Sequence, residues 1–435
     1  FHIGLFWDGE HVPSVKNLAV PNVDIVEKPR WPLRQYIQEC VYAYNWMDFW
    51  TLGESRREVE WAAWHRQNRI LWPRSPVTTK EARESKSLSK LATERLDNVV
   101  DYAHKLGMKV VDVDHFYRGD PYAEQRVSDN PEEEDRIITK YALDKIKEIK
   151  SKDPQGEWFC SGWALINPGW RQETAKAFFG AVDSTDFIIS DCWGDVNSIY
   201  KKYNYFYGKK WVFGVLHSFG GTTCLHGNLN DIIKRFKDVS TDPQANNCVG
   251  VYINPEVIHY NELYFDLVTR LAWNPDVVNL EDFLNDYATR RYGTESAPEM
   301  YKALNKLAIS VFSTNDYTPQ YIQTRMLSSF PPTVHERARY IPQMIQYLEI
   351  ALGQAKRQHD NPLYAKDMID VAKQAIADLS NCQLVSLYEA YSSGDSKSFE
   401  IAAKSLSDCV SQMDGLLRTV KEYQIASIIE NARTL

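Results

Sequence analysis

The sequence contains no CxxC pair, and its seven cysteines, Cys40, Cys160, Cys192, Cys224, Cys248, Cys382 and Cys409, follow no regular spacing. This excludes a zinc ribbon and a disulfide scaffold and predicts thiols that are mostly free and buried. No apolar run reaches the length of a membrane span, so no membrane partner is expected. No signal-peptide pattern stands at the start, where Phe1 in place of Met points to a processed or trimmed chain. No Asn-x-Ser/Thr triplet occurs, which points away from a lysosomal protein and toward a secreted or periplasmic bacterial one. A dense basic stripe is missing too. With 50 Lys and Arg against 58 Asp and Glu the net charge is -8, which argues against nucleic acid as a partner. Arg56, Arg57, Arg66 and Arg69 are the nearest thing to a basic patch, but they fall among Glu54, Glu58 and Glu60 and read as a solvated, salt-bridged helix face. The histidines are scattered, so neither a metal site nor a cofactor is expected.

What is present is ordinary globular composition, 44% hydrophobic and 25% charged, over 435 residues, more than a single core usually supports. Short β-type runs alternate with helical stretches from about residue 36. The predicted strands are Cys40–Asn45, Arg69–Trp72, Met108–Asp114, Glu157–Gly162, Asp186–Asp191, Lys210–Leu216 and Cys248–Ile253. Between them lie helical segments such as Glu54–Trp64, Leu91–Leu106, Glu133–Ile149 and Asn230–Phe236. After Gly293 the β signal nearly vanishes, and Ala297–Val311, Thr333–Gln358, Pro362–Gly394 and Ser398–Ala432 read as long helices. The implied fold class is α/β: a (β/α)8-like TIM barrel over 36–293, an all-α helical domain over 294–435, and a small N-terminal segment or domain remnant over 1–35. One barrel strand is missing where the fourth belongs, between Asp114 and Pro131; either Arg118–Glu124 forms a shortened strand or residues of a longer chain are absent.

Aromatic side chains are frequent, 13 Trp and 25 Tyr among them, and several stand at strand ends. In a barrel the C-terminal strand ends form the reactive face. Glu256, in Val249-Gly-Val-Tyr-Ile-Asn-Pro-Glu256, follows the last β-rich run directly. Trp211-Val-Phe-Gly-Val-Leu-His-Ser-Phe-Gly-Gly221 reads as a buried strand that delivers His217 and Phe219 to the mouth, and Trp158-Phe-Cys-Ser-Gly-Trp163 places Trp163 similarly. A surface carboxylate, a hydrogen-bonded structural histidine and an aromatic core remain the alternative readings of these residues.

Several of these segments carry a resemblance. Cys40-Val-Tyr-Ala-Tyr44, then Trp46, Trp50 and Glu58-Val-Glu-Trp-Ala-Ala63, Ser161-Gly-Trp163, Leu216 to Gly221, Asn254-Pro-Glu256 with Asn261-Glu262, and Thr289-Arg-Arg-Tyr-Gly293 occur in one order over most of the chain. Together they resemble the α-N-acetylglucosaminidases of glycoside hydrolase family 89. The resemblance implies a retaining exo-glycosidase that removes terminal α-linked N-acetylglucosamine, with a glycan or small glycoside as substrate. Glu256 inherits the nucleophile's place, and Cys40, Tyr44, Trp163, His217 and Phe219 match pocket-lining positions. A retaining pair of carboxyl groups stands about 5 to 5.5 Å apart.

The departures are specific. Where the family has Phe-Asn-Glu-Met at the end of the fourth strand, this sequence has Tyr122-Ala-Glu-Gln125, making Glu124 the nearest acid/base candidate, with Asp120 and Asp114 as fallbacks. In the last helix Ile428 stands where the family carries a pocket tryptophan. Two alternatives follow: a related glycosidase of different sugar specificity, or a catalytically inactive carbohydrate-binding relative.

Overall fold

The computed structural model describes residues 3–12, 22–37, 51–71, 86–166, 170–217, 219, 224–255, 261–316, 332 and 336–433. The chain opens with an antiparallel hairpin, β1 (Gly4–Phe6) and β2 (Gly9–His11). Phe6 is fully buried there against Tyr287.

The first barrel strand is β3 (Leu33–Ile37), ahead of the expected Cys40–Asn45, which lies outside the described residues, so the 35/36 boundary falls inside a strand. Arg34 and Gln35 disguised it: both are buried, although charged and amide side chains read as a break in a β run. The guanidinium of Arg34 donates to the carbonyls of Trp31 and Arg66, which meets the cost of its burial. There follow α1 (Leu52–Trp64), started by a reciprocal capping box between Thr51 and Glu54, then β4 (Arg69–Leu71), α2 (Lys86–Lys105) and β5 (Lys109–Val111).

The missing fourth strand is β6, Phe116–Arg118. It ends where Arg118–Glu124 was expected to begin, because Pro121 has no N–H to give and Tyr122 and Glu124 take left-handed φ of 48° and 58°. No helix separates it from β5. The connecting turn passes through Asp112 and His115, each at φ 64°, and the Asp112 carboxylate accepts from the backbone N and Nε of Arg118 at 3.0 Å.

The β/α alternation then resumes: α3 (Pro131–Lys152), β7 (Glu157–Ser161), α4 (Trp163–Ile166), α5 (Gln172–Gly180), β8 (Phe187–Asp191), β9 (Lys210–Val215), α6 (Leu229–Thr241), β10 (Cys248–Ile253), α7 (Glu262–Trp273) and α8 (Leu280–Tyr292). The eight strands β3 to β10 are parallel, in the order β5-β4-β3-β10-β9-β8-β7-β6, so the sheet nearly closes and its seam lies between β5 and β6. Alternation splits the apolar residues into two layers. Leu33, Leu71, Phe159, Val212 and Tyr252 fill the interior, while Tyr36, Trp158, Trp211 and Phe213 face the helices.

Arg69 corrects the expected solvated helix face. It is the buried first residue of β4, with its guanidinium over the Phe116 ring, and burial pushes its pKa down to about 10. Arg57 and Arg66 do pair with carboxylates, of Glu10 and Glu27.

The helical domain comprises α9 (Ala297–Ala308), α10 (Ile341–Leu352), α11 (Pro362–Ser393), α12 (Ser396–Leu417) and α13 (Ile425–Arg433). The expected Ser398–Ala432 block is therefore two helices. Among the described residues, no helix is long and apolar enough to cross a membrane, no three His, Cys, Asp or Glu side chains form a metal-binding group, and all six cysteines are free thiols.

Candidate active site

At the C-terminal end of β6 the chain stays beside β7. The Asp120 carboxylate accepts from Ser161 N at 3.0 Å, and Trp158 Nε1 donates to Gly119 O at 2.7 Å. Desolvation raises the Asp120 carboxyl despite that hydrogen bond. The chain then turns through Tyr122 to Glu124, an exposed residue whose Oε1 accepts from the Trp163 indole Nε1 at 2.7 Å.

Trp163 reaches this point because Gly162 lets the chain press on β8: a Cβ there would collide with the Ser190 carbonyl. Trp163, Trp193 and Phe219 pack with centroids 5.5–6.1 Å apart, an aromatic wall drawn from the ends of β7, β8 and β9. Such a wall beside a carboxylate can stack on a sugar ring while an acid group stands at its edge.

Trp193 was missed in the sequence, although Cys192-Trp193-Gly194 directly follows a predicted strand. Its indole Nε1 is buried without an acceptor among the described residues, and a buried Trp N–H normally has one.

His217 is buried in a ring stack of its own. It is 3% exposed, with its ring stacked on His226 at 4.0 Å and on Tyr264 at 4.2 Å. Burial holds its pKa well below the usual histidine range. Its backbone N, with that of Leu216, donates to Asp195, a fully buried carboxyl that desolvation pushes up to about 7.

Of the sequence candidates, the structure brings together Glu124, Trp163 and Phe219, while the ring of His217 stacks with His226 and Tyr264. Cys40, Tyr44 and Glu256 lie outside the described residues. Asp114 belongs elsewhere, paired with His104 and the Val110 backbone.

A family model described as the alpha-N-acetylglucosaminidase (NAGLU) TIM-barrel domain matches residues 81–275, and the model of that family's C-terminal domain matches residues 283–435. The chain belongs to the alpha-N-acetylglucosaminidase family. The human alpha-N-acetylglucosaminidase is 23% identical over 332 residues, covering 75% of this chain and 44% of that protein. The chain thus spans a little under half the length of this curated relative.

Two structures of a family 89 glycoside hydrolase from Clostridium perfringens match all of this chain and about 60% of theirs, at 16% identity. One, in complex with its substrate GlcNAc-alpha-1,4-galactose, gives a TM-score of 0.83; the other, with 2-acetamido-1,2-dideoxynojirmycin, gives 0.81. At that identity the likeness shows the fold: a barrel followed by a helical domain, as in the alpha-N-acetylglucosaminidase family.

Proposed function

We propose that the chain is the catalytic part of a retaining glycoside hydrolase that removes terminal α-linked N-acetylglucosamine from glycans. The observation that carries this is the Glu124 carboxylate, held by the Trp163 indole at the edge of the Trp163–Trp193–Phe219 wall, at the end of the fourth barrel strand.

Glu124 is the proton donor to the leaving oxygen and later the base for water. Glu256 is the nucleophile, placed by sequence on the third position after Ile253, where β10 ends. In the first step the Glu256 oxygen attacks the anomeric carbon as Glu124 protonates the departing oxygen. In the second, Glu124 takes a proton from water, and that water releases the sugar from Glu256. A glycan is the partner, and the lack of Asn-x-Ser/Thr triplets favours a secreted or periplasmic bacterial protein.

The test is hydrolysis of 4-nitrophenyl α-GlcNAc by the purified chain beside Glu256→Gln and Glu124→Gln. The wild type should turn over and both variants should fall by roughly a thousand-fold or more, the scale of losing one member of a catalytic pair. Sugar binding without turnover, unchanged by Glu256→Gln, would instead mark an inactive binding relative. Efficient cleavage of other aryl glycosides would assign a different sugar, for which Ile428 in α13, at the family's tryptophan position, is the first residue to examine.

A further inference from the structure

The loop that carries Glu124 is fastened at both ends to the same stretch of chain, Ser161 to Trp163. At its start, Gly119 N donates to Phe159 O at 3.3 Å, which continues the parallel ladder of β6 and β7 by one bond. The next bond of such a ladder would run from Ser161 N to Gly119 O. Here the Gly119 carbonyl accepts from the Trp158 indole at 2.7 Å, and Ser161 N donates to Oδ1 of Asp120 at 3.0 Å. The Asp120 side chain thus stands in for a backbone acceptor.

The backbone of Asp120 is held from the other side. Tyr141 of α3 donates from its hydroxyl to the Asp120 carbonyl at 2.9 Å, and its ring packs on Tyr122 at 5.2 Å and on Trp158 at 6.0 Å. At the far end of the loop, Glu124 Oε1 accepts from Trp163 Nε1 at 2.7 Å, and Trp163 N donates to the Ser161 hydroxyl at 3.2 Å. A chain of contacts therefore runs from Asp120 through Ser161 and Trp163 to Glu124.

Only Pro121, Tyr122 and Ala123 lie between the two ends. Tyr122 and Glu124 adopt left-handed φ of 48° and 58°, a conformation that is costly for a residue with a side chain and persists where the surroundings impose it. The contact of Asp120 with β7 imposes it from the strand side.

We propose that Asp120 is a positioning residue for the acid/base carboxylate: by taking the next rung of the β6–β7 ladder, its side chain fixes the start of the turn that delivers Glu124 to the Trp163 indole. The catalytic half of this inference rests on the reading of Glu124 as proton donor.

The test compares two substrates in the full chain. A 2,4-dinitrophenyl leaving group departs without a proton, whereas a phenyl leaving group needs one, so kcat/KM on the pair reports whether the acid is in place. Asp120→Ala removes the acceptor for Ser161 N, and Asp120→Asn keeps an oxygen at that position. Should the Ala variant fail to fold, Asp120→Ser replaces it, its hydroxyl being too short to reach Ser161 N. The indole N–H resonance of Trp163, identified by its loss in Trp163→Phe, reports on the Glu124 contact without any turnover.

Asp120→Ala should lose roughly ten- to hundred-fold in kcat/KM on phenyl α-GlcNAc, the scale of a misplacement of about 1 Å, and less than about three-fold on the 2,4-dinitrophenyl glycoside. Its Trp163 resonance should move toward the position seen in Glu124→Gln. Asp120→Asn should recover most of both. An unchanged Ala variant overturns the inference, and so does an equal loss on the two substrates, which would mark a general structural role. Equal damage in Asp120→Asn also overturns it, since the carboxyl itself would then act. If Glu124→Gln shows no difference between the two substrates, the proton-donor reading fails, while the Trp163 resonance still decides whether Asp120 places Glu124.

Discussion

Both ring nitrogens of His226 face carbonyl oxygens: Nδ1 faces Cys224 O at 2.9 Å and Nε2 faces His217 O at 3.3 Å. Only an imidazolium could donate to both, yet desolvation pushes the pKa of this buried ring down to about 4, and the stacked His217 is held low as well. A histidine kept neutral in the fold takes up a proton first in the unfolded state, as pH falls below about 6.5. Its contribution to stability is whole above that pH and is lost toward the folded value. Asp195 and Asp191, raised by burial to about 7 and about 6, act with the opposite sign, gaining stability as they are protonated in the fold. The wild-type curve alone is therefore a sum. Comparison with His226→Gln isolates the ring: the melting-temperature advantage of the wild type should shrink as pH drops from 7.5 to 5, and an advantage constant with pH would show that the folded ring takes up its proton at the same pH as the unfolded one. At this scale the sequence told which residue types stand at the strand ends but not how they turn. The contact of Trp163 with Glu124 is not written in either motif, and a strand-end histidine reads the same whether it is exposed or, like His217, buried in a ring stack.

The elements that join the barrel to the helical domain meet at a buried charge. Arg291 of α8, 1% exposed, donates to both oxygens of Asp367 on α11 at 2.6 Å, and Tyr292 Oη adds a third bond at 2.6 Å. The next carboxylate, Asp8 of the hairpin, is 4.0 Å away. Removing one partner leaves an uncompensated charge, so Asp367→Asn should cost roughly 3 to 5 kcal/mol in urea unfolding. A cost below about 1 kcal/mol would mean that Asp8 takes over. Element boundaries were legible where local chemistry marks them: Asn361 caps α11, which stops at Gly394 in a left-handed turn. β6 was not legible. Its three residues carry no period of their own, and their pairing with β7, Phe116 against Glu157, is set by partners distant in sequence. The Glu124 assignment suffered for the same reason, since the strand that leads to it could not be read locally.

At the scale of the whole molecule, the barrel and the helical domain share one core. The outer apolar layer that begins with Phe6 and Tyr36 runs without a break through α8 and α9 to Met344, Tyr347, Leu363 and Val371. Polar groups cross the junction with it: Gln374 of α11 accepts from Leu225 N, and Arg337 donates to Leu225 O. A continuous core with paired polar groups across it should unfold as a unit, even though the sequence reads as two domains with a composition change near residue 293. The sequence supplies the probe for this. All 13 tryptophans lie at or before Trp273, so fluorescence reports on the barrel and hairpin alone, while far-UV circular dichroism is dominated by helices, the long α11 and α12 among them. Thermal transitions followed by the two signals should coincide within about 2 °C, the test of two-state behaviour. A fluorescence midpoint separated by 5 °C or more would make the junction a hinge between independent domains. The helical domain could then loosen while the barrel stayed folded, and the Arg291–Asp367 pair would break before the barrel unfolds.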